Sequence, residues 1–165
     1  MIPIWLTKLP LNLIKFAAEA QNVPWDVLAA IAMVESGGNQ YAMRYEPLYK
    51  YTYRVYEIAT NFRITPDTEE VSQKTSVGYC QIMFAWLREH GFNGHFAEAF
   101  DAKTNFLWAA KKLRQLVDKY GEVEEDIISA YNQGDNRKEK SGANYQNQTY
   151  VNKVVSYLNE IRSGG

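Results

Sequence analysis

Between Asp101 and Tyr120 the apolar residues Phe106, Ala109, Ala110, Leu113, Leu116, Val117 and Tyr120 recur at steps of three and four. Lys111, Lys112, Arg114, Asp118 and Lys119 fall between them. That spacing follows the 3.6-residue turn, so the segment reads as one amphipathic helix, stopped by Gly121. Its apolar stripe needs a core to face, and the rest of the chain supplies more helices. Pro10 can sit in the first turn of one running to about Gln21. Pro24 opens a second through Trp25, Leu28, Ile31, Ala32 and Val34 to the Ser36-Gly37-Gly38 break. Val77 to His90 reads as a helix closed by Gly91, Glu124 to Asn132 as a short one closed by Gly134, and Thr149 to Ile161 as the last. No segment alternates with period two for long enough to nominate a strand, although Tyr49 to Tyr56 suits either a short hairpin or a helix. Gly134 to Gln148 reads as a polar loop and Ser163-Gly164-Gly165 as a fraying end. The fold class expected is mainly α.

With 165 residues, 46% of them hydrophobic, the chain is apolar enough for one globular domain spanning residues 1–165. A single cysteine, Cys80, rules out an internal disulfide and a cysteine-cluster metal site. Eighteen Lys and Arg against 19 Asp and Glu leave no net basic face for broad capture of nucleic acid. At the N-terminus Pro3, Lys8, Pro10 and Asn12 interrupt the apolar stretch, so neither a signal peptide nor a transmembrane span is expected.

The candidate for chemistry is Glu35. It stands at the C-terminal end of an otherwise apolar helix, where the negative end of the helix dipole and apolar neighbours both disfavour its charged form. Both effects raise its pKa. A carboxyl that keeps its proton near neutral pH suits general-acid cleavage of a glycosidic bond, whose leaving oxygen must be protonated as the bond breaks. Taken alone, the same residue is also what a surface glutamate at a helix end looks like.

Its company decides between the two. The blocks Val34-Glu35-Ser36-Gly37-Gly38-Asn39, Ser72 with Gly78-Tyr79-Cys80-Gln81-Ile82-Met83, Ala130-Tyr131-Asn132-Gln133-Gly134 and Tyr150-Val151-Asn152-Lys153-Val154 follow one another in this order. Together they resemble the lytic transglycosylases of the soluble type, relatives of goose-type lysozyme, over Trp25 to about Leu158. The resemblance implies a lysozyme-like fold with Glu35 as sole catalytic acid. It further implies Ser72 and Gln81 as polar contacts around the reacting sugar, Ser72 being favoured over Ser76 by its spacing to Gly78, and Tyr131 and Asn132 as the wall opposite Glu35. The chain departs from the family in having Tyr79 and Cys80 for an aliphatic pair and Gln133 for a small residue.

The largest departure is an insertion at about 40–71. It carries Tyr41, Tyr45, Tyr49, Tyr51, Tyr53, Tyr56 and Phe62, interleaved with Arg44, Arg54 and Arg63. Such rings can stack on pyranose faces and such arginines can pair with peptide carboxylates, while a small satellite core is the plainer use of the same residues. Arg44 to Pro47 reads as the insertion's anchor. His90 and His95 read as surface or capping residues, Cys80 as a buried inert thiol, and Trp86 and Trp108 as core. The acidic run Glu122 to Asp126 suits a helix N-terminus.

The function implied by the resemblance is cleavage of the N-acetylmuramic acid to N-acetylglucosamine bond of peptidoglycan, ending in a 1,6-anhydro ring. No metal or organic cofactor is implied, and the partner is the glycan strand, not nucleic acid. Two alternatives stay open: hydrolysis of the same bond, with Glu46 or Asp67 activating water, and a non-catalytic wall-binding or virion domain. The absence of a readable leader suggests a phage protein that reaches the wall in a particle or at lysis.

Overall fold

A computed structural model describes residues 2–134, 140–141 and 144–164. Its centre is the helix Trp25–Ser36 (α2), in which every residue from Val27 to Met33 is buried. A helix apolar on all sides has to be surrounded, and it is. The preceding helix Leu11–Gln21 (α1) lies against it, as do two later helices, Ala102–Tyr120 (α6) and Gln148–Ser163 (α8), while Glu124–Gln133 (α7) bridges α6 and α8. The turns between these helices are set locally. Asn22, left-handed at φ 52°, ends α1, and Gly37 at φ 64° ends α2 with its N–H on the Met33 carbonyl at 3.0 Å. Asp101 caps α6 by accepting from the Thr104 N–H at 2.9 Å. The core is mainly helical, as expected, and the periodic residues of α6, including Phe106, Ala109, Ala110, Leu113 and Leu116, are its buried face.

The stretch between α2 and α6 differs from the expectation. Val77 to His90 is not one helix. It begins in the strand Thr75–Val77 (β2), turns at Gly78, continues in Ile82–Met83 (β3), and only then enters the short helix Phe84–Glu89 (α5). A third strand, Met43–Tyr45 (β1), completes an antiparallel sheet in the order β1-β2-β3, with Arg44 opposite Ser76 and Ser76 opposite Met83. Gly78 at φ 77° and Gln81 at φ 47° are the reason: two left-handed residues in four make a tight turn where a helix cannot pass. Tyr49 to Tyr56 is no hairpin. Its first part is irregular, and the helix Val55–Phe62 (α3) begins at its end, followed by Pro66–Gln73 (α4). Of the segment expected as a polar loop, Lys140–Ser141 (β4) pairs with Asn144–Tyr145 (β5), whereas 135–139 and 142–143 lie outside the described residues. Ser163 belongs to α8.

Besides the β1–β2 pairing, a buried ion pair ties the insertion to α5. Glu69 of α4 meets Arg88 of α5 through two hydrogen bonds, Nε to Oε1 at 2.8 Å and Nη2 to Oε2 at 3.1 Å, with side chains only 1% and 2% exposed. Arg88 also donates to the carbonyls of Phe92 and Gly94, and its guanidinium lies over the rings of Phe62 and Phe84, 4.5 Å from each centroid. Gln73 extends the network. It donates to Glu69 and to the Tyr53 carbonyl and accepts from the Tyr53 N–H, so the aromatic loop before α3 is tied to α4.

Candidate active site

Glu35 sits in the last turn of α2, where the buried run gives way to the Gly37 cap. It is half-buried, and its Oε1 accepts a hydrogen bond of 2.7 Å from the hydroxyl of Tyr150, in the first turn of α8. Burial raises its pKa above the ordinary 4.5. The Tyr150 hydrogen bond and the positive charges of Lys112 and Arg44 pull the other way, and Glu46 adds to the rise. Tyr150 is itself pushed well up, by burial and by the adjacent carboxyl, so it stays a donor at neutral pH. The pair is thus an acid whose one oxygen is engaged as an acceptor and whose other oxygen can carry a proton.

Glu35 acts electrostatically on Tyr131 and Cys80. The Tyr131 hydroxyl donates to the Cys80 carbonyl at 2.9 Å, and both side chains are buried. Burial first, and Glu35 next, holds the Cys80 thiol well above its usual range, which suits the inert packing expected of it. Tyr131 is therefore a packed residue and not a wall open to a ligand. Its neighbour Asn132 is exposed, with Oδ1 accepting from Asn147 Nδ2 at 3.0 Å.

The β2–β3 turn is held by two amides. Gln81 donates both Nε2 hydrogens, to the Ala42 carbonyl at 2.9 Å and the Gly78 carbonyl at 3.0 Å, leaving only Oε1 to meet a ligand. Asn105, buried in α6, donates to the carbonyls of Val77 and Ala99 and accepts from the Cys80 N–H at 2.9 Å. A side chain on Gly78 would collide with that asparagine, so the residue must be glycine for steric and conformational reasons together.

Ser72 does not join this group. It lies in α4, and its hydroxyl donates to the Thr68 carbonyl one turn back at 2.8 Å. Ser76, itself buried, pairs with Arg44 across the sheet, and its hydroxyl lies 3.5 Å from Glu46 Oε1. Arg44 holds that same oxygen through Nε at 3.1 Å and Nη2 at 2.8 Å, and the Glu46 N–H continues the β1 ladder to the Lys74 carbonyl. Alternation along the strand puts Arg44 and Glu46 on one face, and both act on Glu35. Asp67, the other acidic residue considered in the insertion, is exposed in the first turn of α4. Tyr41, Tyr45, Tyr51 and Tyr56 are exposed, and Tyr49 and Phe62 half-buried.

The chain matches the family described as Transglycosylase SLT domain over residues 12–154. It belongs to that family. The match begins in α1 and ends in α8, so the residues that surround Glu35 all fall within the SLT region. SLT domains are peptidoglycan-cleaving, and the fold here is accordingly the lysozyme-like one. Comparison with curated proteins and with solved structures gave no match.

Three residues of this SLT site were not given a role from sequence: Tyr150, Asn105 and Lys112. Asn105 left a readable trace, a polar residue four before Ala109 on the apolar stripe of α6. Tyr150 begins the run Tyr150-Val151-Asn152-Lys153-Val154, in which nothing singles it out. Lys112 is one of several cations on α6, and only the packing reveals that it turns toward Tyr131.

Proposed function

We propose that this protein is a lytic transglycosylase that cleaves the bond between N-acetylmuramic acid and N-acetylglucosamine in peptidoglycan and closes a 1,6-anhydro ring, with Glu35 as acid and then base. The observation that carries this reading is the Glu35–Tyr150 hydrogen bond, at a carboxyl whose burial favours the protonated form. Because Oε1 accepts from Tyr150, the transferable proton resides on Oε2. In the first step that proton passes to the glycosidic oxygen as its bond to the muramic anomeric carbon breaks, and the substrate's acetamido oxygen bonds to that carbon. In the second step the ionised Glu35 takes the proton of the muramic hydroxymethyl group, whose oxygen displaces the acetamido oxygen. No water is consumed and Glu35 ends protonated. Gln81 Oε1 and Asn132 supply polar contacts, and the exposed tyrosines of the insertion extend the surface a glycan strand can lie on.

A second reading is favoured by one observation, the carboxylate of Glu46 clamped by Arg44 on the sheet face that acts on Glu35. A fixed ionised carboxylate beside an acid can activate water, which would make the outcome hydrolysis, as in a goose-type lysozyme.

The test common to both is Glu35→Gln, which keeps shape and removes the proton. Release of soluble fragments from purified peptidoglycan should fall by the ~10²–10⁴ that positioned proton transfer contributes, with the circular dichroism spectrum unchanged. Fragment release at the parent rate removes Glu35 from the mechanism.

A further inference from the structure

Strand β1 is the outer strand of the β1-β2-β3 sheet, and its three residues, Met43, Arg44 and Tyr45, are all exposed. Its pairing with β2 fixes which backbone groups are already engaged. The Gly78 N–H donates to the Ala42 carbonyl at 2.8 Å and the Glu46 N–H to the Lys74 carbonyl at 2.7 Å, and both pairs stand opposite one another in the register that sets Arg44 against Ser76. Hydrogen-bonded and non-bonded pairs alternate in an antiparallel ladder, so Ala42, Arg44 and Glu46 turn their backbone groups toward β2. Met43 and Tyr45 turn theirs to the outer edge. Among the described residues neither has a backbone hydrogen-bond partner there. The edge is thus a short row of two N–H and two C=O groups, with a repeat of about 7 Å.

This row begins beside the acid. From Ser36, the residue after Glu35, two turns deliver the chain to β1: the Asn39 N–H donates to the Ser36 carbonyl at 3.2 Å, and the Ala42 N–H to the Asn39 carbonyl at 3.3 Å. The Ala42 carbonyl also accepts from Gln81 Nε2 at 2.9 Å, which pins the start of the strand to the side chain assigned above to the sugar. Resting on the reading of Glu35 given above, we propose that the outer edge of β1 binds the peptide stem of the peptidoglycan substrate, through hydrogen bonds between the Met43 and Tyr45 backbone and the amides of the stem.

The chemistry of the edge selects that occupant. An extended peptide offers donors and acceptors in the order and at the spacing that an unpaired strand leaves open, which is the basis of strand addition to a sheet. The acetamido groups of a β-1,4 glycan do not, because they turn to opposite sides from ring to ring. The stem also starts where it is needed, since it hangs from the lactyl oxygen of the muramic ring whose glycosidic bond Glu35 acts on. Being tethered to a glycan already held at the site, it binds as an intramolecular partner, and a few hydrogen bonds are then enough to favour substrates that carry it. A second copy of the chain fits less well. Three residues make too short a ladder to join two proteins, and the charges of Arg44 and Glu46 oppose edge-to-edge pairing.

Amide hydrogen exchange of the full chain carrying Glu35→Gln reads the edge residue by residue. The probes are two soluble glycan fragments of equal length, one with its peptide stems and one stripped of them by an amidase. With the first fragment at ten times its dissociation constant, the Met43 and Tyr45 N–H groups should exchange roughly tenfold more slowly, while Arg44, whose N–H already faces β2, changes little. The stripped fragment should slow neither. In the active protein, kcat/KM should favour peptide-bearing over stripped glycan by roughly tenfold, the worth of one or two hydrogen bonds. Met43→Pro deletes an outward N–H that the ladder does not use and should reduce that preference, whereas Met43→Val should keep it. Three outcomes overturn the proposal: unchanged exchange at Met43 and Tyr45 with the peptide-bearing fragment, equal slowing by both fragments, which puts sugar on the edge, and slowing that follows protein concentration without ligand, which puts a second copy there. Cleavage persisting in Glu35→Gln would sink the assignment of Glu35, while slowed exchange at Met43 and Tyr45 would still support the peptide on the edge.

Discussion

Glu35 carries a conflict between stability and function that can be measured without substrate. Its folded pKa lies above 4.5, chiefly through burial. A carboxyl raised on folding binds more protons in the native state than in the unfolded chain over the window between the two values. Stability contributed by that group is therefore full below 4.5 and is lost as pH rises toward the folded pKa. Glutamine does not titrate. The melting temperature of Glu35→Gln minus that of the parent should accordingly grow as pH rises above 4.5 and level off once Glu35 is ionised in the native state. A difference independent of pH contradicts the burial argument. At this scale the sequence made Glu35 visible because it interrupts an apolar helix one turn from a glycine break. It could not show Tyr150, which reaches the carboxyl from 115 residues away. Nor could it show that Ser72 bonds its own helix while Ser76 turns to Glu46, since both are serines near Gly78.

At the scale of elements, long helices were legible and short strands were not. Period 3.6 accumulates over α6, and the glycine stops at Gly37, Gly121 and Gly134 mark helix ends in the structure as they do in the sequence. Strands of two or three residues give alternation nothing to accumulate over, and the apolar content of Val77 to His90 imitates a helix. What reveals the turn is backbone geometry at Gly78 and Gln81, together with Asn105 reaching across from α6. The join between insertion and core was equally hidden, because Glu69 and Arg88 look like ordinary surface charges until packing buries them. Breaking a buried pair strands the remaining charge, so Arg88→Met should destabilise the protein by about 3–5 kcal/mol in urea unfolding. Glu69 and Arg88 replaced together by apolar residues of similar size should recover much of that loss. An Arg88→Met change below about 1 kcal/mol, the scale of exposed pairs, would show that the pair is not dry.

For the whole molecule, the question is what the insertion at 40–71 contributes. The sequence suits either a glycan-contacting surface or a satellite core, and in the structure some of the segment's residues are buried and others exposed. β1 pairs with β2, and α4 carries Glu69 to Arg88, so these parts hold the fold. Leu48 and Tyr51 are 88% and 68% exposed, and Tyr51 meets only the edge of Tyr49 among the ring contacts of the described residues. Replacing 40–71 by a short glycine-containing link should thus give an insoluble protein or one without a cooperative melt, since it bares β2 and leaves Arg88 buried without its partner. Substituting Leu48 and Tyr51 by serine should leave the melting temperature within the small range of surface changes while raising the peptidoglycan concentration needed for half-maximal cleavage. A soluble, cooperatively melting deletion variant would mean that the insertion sits on the domain without supporting it.

The central claim is the fate of the glycosidic bond, and fragment mass reads it directly. Purified peptidoglycan digested with the protein and analysed by mass spectrometry should yield muropeptides one water lighter than hydrolysis products, because the muramic hydroxymethyl oxygen and not water closes onto the anomeric carbon. Fragments at full hydrolytic mass would contradict the account and assign the second step to water activated beside Glu46.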